Sequence, residues 1–237
     1  MATFILIHGS WHGAWCWDRL VPALESRGHR AIALDLPGMG ADTTPLANVT
    51  LQSWTNFVVR HLREADGPVM LVGHSRGGVV ISEAAEMAPE RIQGLIYLTA
   101  VLLPNGGTVL QVMAQLPAGS LAAVQFAADG AHSALNPDKA AALLYNTTPP
   151  EWVRWALGKL GPDPTQPNTA PLCLTPERYG SVPRFFIECL QDRTLSIDLQ
   201  RRMMRAMPCK RVLTLDTDHS PFLSAPEQLA DSLTCLA

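Results

Sequence analysis

The sequence predicts an α/β fold with a mostly parallel, six-stranded, doubly wound sheet and a small helical cap. Three observations carry this prediction. Short apolar runs of strand length alternate with segments of helical period. Most of those runs are continuously apolar rather than alternating, as strands are when helices cover both faces of a parallel sheet. The alternation breaks once, over 103–180, where 10 of the 19 prolines fall and no clear strand stands out.

Taken in order, a strand at Thr3 to Ile7 leads to a helix at Trp15 to Ser26 and a strand at Ala31 to Leu34. A helix at Leu51 to Glu64 follows, then a strand at Val69 to Val72, a helix at Gly77 to Met87 and a strand at Leu95 to Thr99. The stretch from Leu103 to Gly180 is too long for a structureless loop in a compact domain. Helical character around Leu121 to Ala128, Asp138 to Leu144 and Glu151 to Leu160 makes it an inserted helical cap. The core resumes with a strand at Arg184 to Ile187, a helix at Ile197 to Met207, a strand at Val212 to Leu215 and a helix at Pro226 to Leu236. The expected organisation is a core of 1–102 and 181–237 around a cap of 103–180, as a single structural domain.

Composition narrows the function classes. Of 237 residues, 47% are hydrophobic and 16% charged, against roughly 25% charged in an average soluble protein; the chain can therefore fill a large core and is not disordered. Its length fits one domain, because single cores stop growing at roughly 250 to 300 residues. A net charge of -3 argues against nucleic acid, which calls for clustered cations. From Ile92 to Ala128 there is no Asp, Glu, Lys or Arg, yet Pro104-Asn105-Gly106-Gly107 and Pro117 interrupt the run. It is therefore not a membrane span, which needs about 20 apolar residues in succession. The N-terminus lacks the basic start and cleavage site of a signal peptide. Five cysteines without CxxC spacing suggest neither a disulfide framework nor a metal site. A reduced, cytoplasmic protein is expected, with no nucleic-acid or membrane partner and with a homodimer left open.

The chemistry centres on Gly73-His74-Ser75-Arg76-Gly77, a G-x-S-x-G pattern between a strand and a helix. That placement is what a nucleophile elbow requires: the glycines permit a sharp turn that lifts the Ser75 hydroxyl clear of the sheet. A Gly-rich turn with a capping serine is the plainer reading of the same five residues. A serine hydroxyl needs a base, and the base an orienting acid. His219 follows the last strand and Asp192 the fifth, so both fall at the carboxyl edge of the sheet where Ser75 emerges. Asp216, Asp218 and Glu188 are the competing acids, and His74 is expected to pack in the elbow. An oxyanion hole would draw one amide from Arg76, the residue after the nucleophile, and one from Ser10 in the loop after the first strand. Gly9 lets that loop come close to substrate. Candidate pocket residues are Trp11, Phe126, Trp152, Trp155 and Phe222, each of which could equally be core packing.

With these residues placed, almost the whole chain resembles the α/β-hydrolase superfamily, in particular its plant methylesterases, hydroxynitrile lyases and related bacterial esterases. The resemblance rests on His8-Gly9-Ser10-Trp11-His12-Gly13-Ala14-Trp15, Gly28-His29-Arg30 leading into Ala33-Leu34-Asp35-Leu36-Pro37-Gly38, Leu174 to Ser181, Gln191-Asp192 and Asp218-His219. It implies a sheet without the two N-terminal strands of larger hydrolases. It also implies that lyases carry a Lys after the catalytic His and a Thr where Gly9 stands, whereas Ser220 follows His219 here, so no cation is positioned for cyanide. Dehalogenases and epoxide hydrolases place Asp at the elbow, which Ser75 excludes. The expectation is a serine hydrolase of a small-molecule, uncharged, fairly hydrophobic carboxylic ester, acting through an acyl-enzyme without metal or organic cofactor. A thioesterase or lactonase shares the machinery, and a ligand-binding or receptor protein with slow turnover shares the scaffold.

Overall fold

The computed structural model describes residues 1–116 and 118–237. Strand β1 (Thr3–Ile7) leads through a 3-10 turn at Ala14–Trp17 into α1 (Leu20–Glu25) and β2 (Arg30–Leu34). Helix α2 (Leu51–Glu64) starts at Thr50, whose side chain and that of Ser53 cap each other's backbone N–H groups. Its buried residues Leu51, Trp54, Thr55, Val58, Val59 and Leu62 recur at helical spacing and form one face. Strand β3 (Val69–His74), α3 (Gly77–Met87) and β4 (Ile92–Leu98) complete the first half of the core.

The insertion that follows adds a small sheet to the helices expected of the cap. It contains α4 (Val109–Met113), α5 (Ala118–Leu121), β5 (Val124–Phe126), β6 (His132–Leu135), α6 (Pro137–Leu144), α7 (Pro150–Leu157), β7 (Asp163–Pro164) and α8 (Gln166–Thr169). Strands β5, β6 and β7 pair antiparallel into a small sheet, so the stretch read as helical at Leu121 to Ala128 holds the short strand β5 instead of a helix. The core then closes with β8 (Arg184–Cys189), α9 (Ile197–Ala206), β9 (Arg211–Leu215), α10 (Pro221–Ser224) and α11 (Pro226–Thr234). Among the described residues no helix is long and apolar enough to cross a membrane.

All six core strands run parallel in the order β2-β1-β3-β4-β8-β9. Successive residues serve two cores, which explains the unbroken apolar runs. Ile5, Ile7, Leu71, Leu95 and Tyr97 face one side with α2 and α3; Phe4, Leu6, Val72, Ile96 and Leu98 face the other with α1 and α11. The chain first steps from β1 outward to β2 and then returns to β3 on the opposite side of β1. That reversal opens a crevice at the carboxyl ends of β1 and β3, where α/β sheets bind ligands. Ile7 lies in register with Gly73, so the loop after β1 and the turn after β3 leave the sheet side by side.

Candidate active site

Ser75 adopts φ 53, a left-handed conformation that a non-glycine residue holds only when its surroundings impose it. The surroundings are tight. A Cβ on Gly77 would stand 2.8 Å from the Ile7 carbonyl, and one on Gly73 would stand 2.7 Å from the Gly77 carbonyl. The turn therefore closes only with glycine on both flanks. Its first carbonyl and amide are anchored too: the Ser75 N–H donates to Leu98 at 3.3 Å and its carbonyl accepts from Val101 at 2.9 Å.

The residue between, His74, is buried and donates from Nε2 to the carbonyl of His219 at 2.8 Å. This ties the elbow to the loop after β9. His219 donates from Nδ1 to Asp192 Oδ2 at 2.6 Å, with both side chains buried. Asp192 Oδ2 also accepts from the Thr99 hydroxyl, while Oδ1 accepts from the backbone N–H groups of Thr194 at 2.7 Å and Leu195 at 2.9 Å. Thr99, expected as the end of the fourth strand, instead sits just past it at φ 37, a strained position for a β-branched residue that turns its hydroxyl toward the carboxylate. The competing acids are engaged elsewhere. Asp218 accepts from Thr147, Thr148, Ser220 and Ser224, Asp216 accepts from Gln191, and Glu188 pairs with Arg201.

Opposite the elbow, the loop after β1 is built from buried histidines. His12 donates from Nδ1 to the Ser10 carbonyl at 2.8 Å and accepts at Nε2 from the Tyr145 hydroxyl at 2.8 Å. His8 donates to the Gly9 carbonyl and accepts from the Leu36 N–H. A Cβ on Gly9 would lie 2.6 Å from Ser75 Cβ, so this loop touches the elbow without room for a side chain. Among the described residues neither the Ser10 nor the Arg76 amide donates to a protein acceptor.

Burial drives His8 down to about 4 and His12 to about 3, and pushes His74 well below the ordinary imidazole range. Each is therefore neutral when folded and takes up a proton on unfolding below about 6.5. Stability from these groups is complete above that value and is lost as pH falls through the window down to about 3 to 4. Burial raises the Asp163 carboxyl against the pull of Arg76, which works in the opposite sense for one group. Urea unfolding is expected to show a loss of about 2 kcal/mol per histidine between pH 7 and pH 5. A flat profile there would mean that these rings are not buried neutral.

A cavity joins these loops to the insertion. Ser10, Trp11, Ser75, Arg76, Asp163 and Asn168 form its polar side. Val101, Val109, Val112, Met113, Leu116 and Val124, from the charge-free run, form most of an apolar wall that Leu143 and Leu195 complete. Trp11 lines the cavity, with its indole N–H on Ser133 Oγ at 3.2 Å. The other four aromatic candidates do not. Phe126 is exposed on the small sheet at 58%. Phe222 is fully buried in the core, packed on Trp17 and His74. Trp152 lies under the Arg19 guanidinium, and Trp155 packs on Trp15 and Trp152. These two share a helix face that docks on the core rather than on the cavity.

Three residues of the site carried no sequence signal: Thr99, and the pair Asp163 and Asn168 that receives the Arg76 guanidinium. The sparse charges of the insertion were the available hint, since an Asp among them is rarely buried without a partner.

Known proteins resemble this chain in both sequence and fold. A sequence profile described as the alpha/beta hydrolase family matches residues 4–232. Methylesterase 1 of Arabidopsis thaliana is 33% identical over 96% of this chain and 93% of its own length. The chain spans 54% of the length of another Arabidopsis methylesterase, a chloroplastic one, at 31% identity. Among solved structures, polyneuridine aldehyde esterase superposes with a TM-score of 0.91 at 26% identity, covering 100% of this chain and 99% of that one. A pyrethroid hydrolase from Sphingobium faniae JZ-2 gives 0.90 at 32% identity, covering 99% and 96%.

Proposed function

The chain belongs to the alpha/beta hydrolase family, and from that premise we infer that it is a carboxylic ester hydrolase using Ser75 as nucleophile. The observation that most supports the reading is the elbow at φ 53 beside the buried His219–Asp192 pair, opening on one apolar cavity. Similarity to methylesterases, an aldehyde esterase and a pyrethroid hydrolase supports the same reaction class.

In this proposal Ser75 Oγ attacks the ester carbonyl while His219 Nε2 takes its proton. His219 keeps its Nδ1–H donated to Asp192, which fixes the imidazole tautomer and stabilises the imidazolium. The amides of Ser10 and Arg76 hold the developing oxyanion, each worth about 3 kcal/mol in related sites. His219 then protonates the leaving alcohol, and a water activated by the same ring releases the acid. Ser220 follows His219, so the base has no adjacent cation and cyanide elimination is not favoured.

The substrate is proposed to be uncharged and fairly hydrophobic. Among the described residues the one cation lining the cavity, Arg76, is paired with Asp163, and the wall is apolar. Residues 103–180 would act as the cap over it. A cytoplasmic location fits five free cysteines and is proposed on that ground. Steady-state assays with p-nitrophenyl esters should give multiple turnovers, with neutral acyl chains preferred over an anionic chain of equal length by at least about tenfold. One stoichiometric burst followed by retention would instead identify a binding protein on this scaffold.

A further inference from the structure

The residue that follows the nucleophile sends a charged side chain into the protein. The Arg76 side chain is 4% exposed and that of Asp163 1%, and the two pair through Nη2 and Oδ1. Arg76 Nη1 donates to the Pro164 carbonyl and to Asn168 Oδ1, each at 3.1 Å. The guanidinium lies over the Trp54 ring at 4.6 Å. Thus the elbow is fastened to the segment around β7.

The same carboxylate reaches the opposite loop. Asp163 Oδ1 accepts the Trp11 N–H at 3.1 Å, and the Trp11 carbonyl accepts from Gly161 N–H at 3.0 Å. Both backbone polar groups of Trp11 are therefore held by residues 161–163. They hold it at φ 61, a conformation that relaxes for a non-glycine residue unless its neighbours fix it. Trp11 directly follows Ser10, so its orientation sets the plane of the Ser10 amide through one intervening peptide.

We propose that the Arg76–Asp163 pair is a positioning device for the oxyanion hole, bracing the Arg76 amide from one side and the Ser10–Trp11 turn from the other. This rests on the esterase reading. A buried ion pair is a poor source of stability, because desolvation offsets most of the attraction. Two amides aimed at one oxygen, however, must hold their geometry to about 0.5 Å. Donors to an oxyanion act where charge develops, so a loosened hole lowers kcat more than it raises KM.

The test compares two double variants, neither of which strands a buried charge. R76M/D163L removes the acceptor for Trp11; R76M/D163N keeps an oxygen there. With a neutral p-nitrophenyl ester, R76M/D163L is expected to lose about 100-fold in kcat with KM changed by less than about threefold. Affinity for a trifluoromethyl ketone, whose adduct with Ser75 places an oxyanion in the hole, should fall in step with kcat/KM. R76M/D163N should recover at least about tenfold of the loss. A kcat within about twofold of wild type in folded R76M/D163L, or an equal loss in both doubles, overturns the proposal. If R76M/D163L does not fold, R76M/D163V, which also removes the acceptor without stranding a charge, is read by the same limits, and a kcat within about twofold of wild type again overturns it. Wild-type protein without turnover dependent on Ser75 would overturn the esterase reading itself; Ser75-dependent turnover untouched by these variants would overturn only the positioning role.

Discussion

Replacing Ser75 by alanine is expected to lower kcat/KM for a neutral ester by about 10⁵-fold or more, while the melting temperature stays within about 3 °C of wild type. The two parts follow from the same local facts. Ser75 lines the cavity rather than a core, so loss of Oγ leaves no buried group unpaired and no void inside the sheet. Alanine tolerates φ 53 about as well as serine does, and Gly73 and Gly77 still close the turn. What disappears is the only atom that forms the acyl bond in the proposed cycle. A residual rate of about 10³ over water would remain from the oxyanion amides and substrate binding. Labelling by a fluorophosphonate, read by mass on the peptide containing residue 75, should vanish in the variant. A rate close to wild type would remove Ser75 from the chemistry and leave the elbow as a structural turn.

The parts legible in the sequence are those fixed by local rules. All six core strands lie within three residues of where the apolar runs put them, because the inner strands are buried on both faces and few polar positions blur their pattern. Ser75, Asp192 and His219 could be proposed together because each follows a strand, and parallel strands bring such positions to one edge. The insertion obeyed weaker rules. Strand β5 has three residues and β7 two, one of them a proline, too short for a period to register. The helix expected from Trp15 to Ser26 breaks into a 3-10 turn and a helix starting at Leu20. Pro22 falls in the first turn of that helix, where a missing N–H does no harm. Four of the aromatic pocket candidates fall outside the cavity lining for another reason. Being aromatic marks a side chain for burial but does not say against what, and Phe222 and Trp155 were claimed by core contacts. The partner of Arg76 stood 87 residues away on an element that sequence did not resolve.

Replacing Asp192 by asparagine is expected to lower kcat by about 10⁴-fold with little change in KM or in fold. The four contacts of this carboxylate make the argument specific. Oδ1 faces two backbone N–H groups, those of Thr194 and Leu195, which cannot become acceptors. An amide at this position must therefore keep its oxygen toward them and present its NH₂ where Oδ2 now stands, facing Thr99 and His219 Nδ1. The Thr99 hydroxyl can rotate to accept, so the site stays satisfied and the protein folded. His219 has one way to comply: it accepts at Nδ1 and carries its proton on Nε2. In that tautomer it cannot receive the proton of Ser75, and the general base is lost although every atom keeps its place. The predicted signature is a collapsed kcat, slowed fluorophosphonate labelling and an unaltered melting curve. A kcat within about tenfold of wild type would transfer the orienting role to another carboxylate. Asp218 is the nearest in sequence, and its oxygens are already taken by Thr147, Thr148, Ser220 and Ser224.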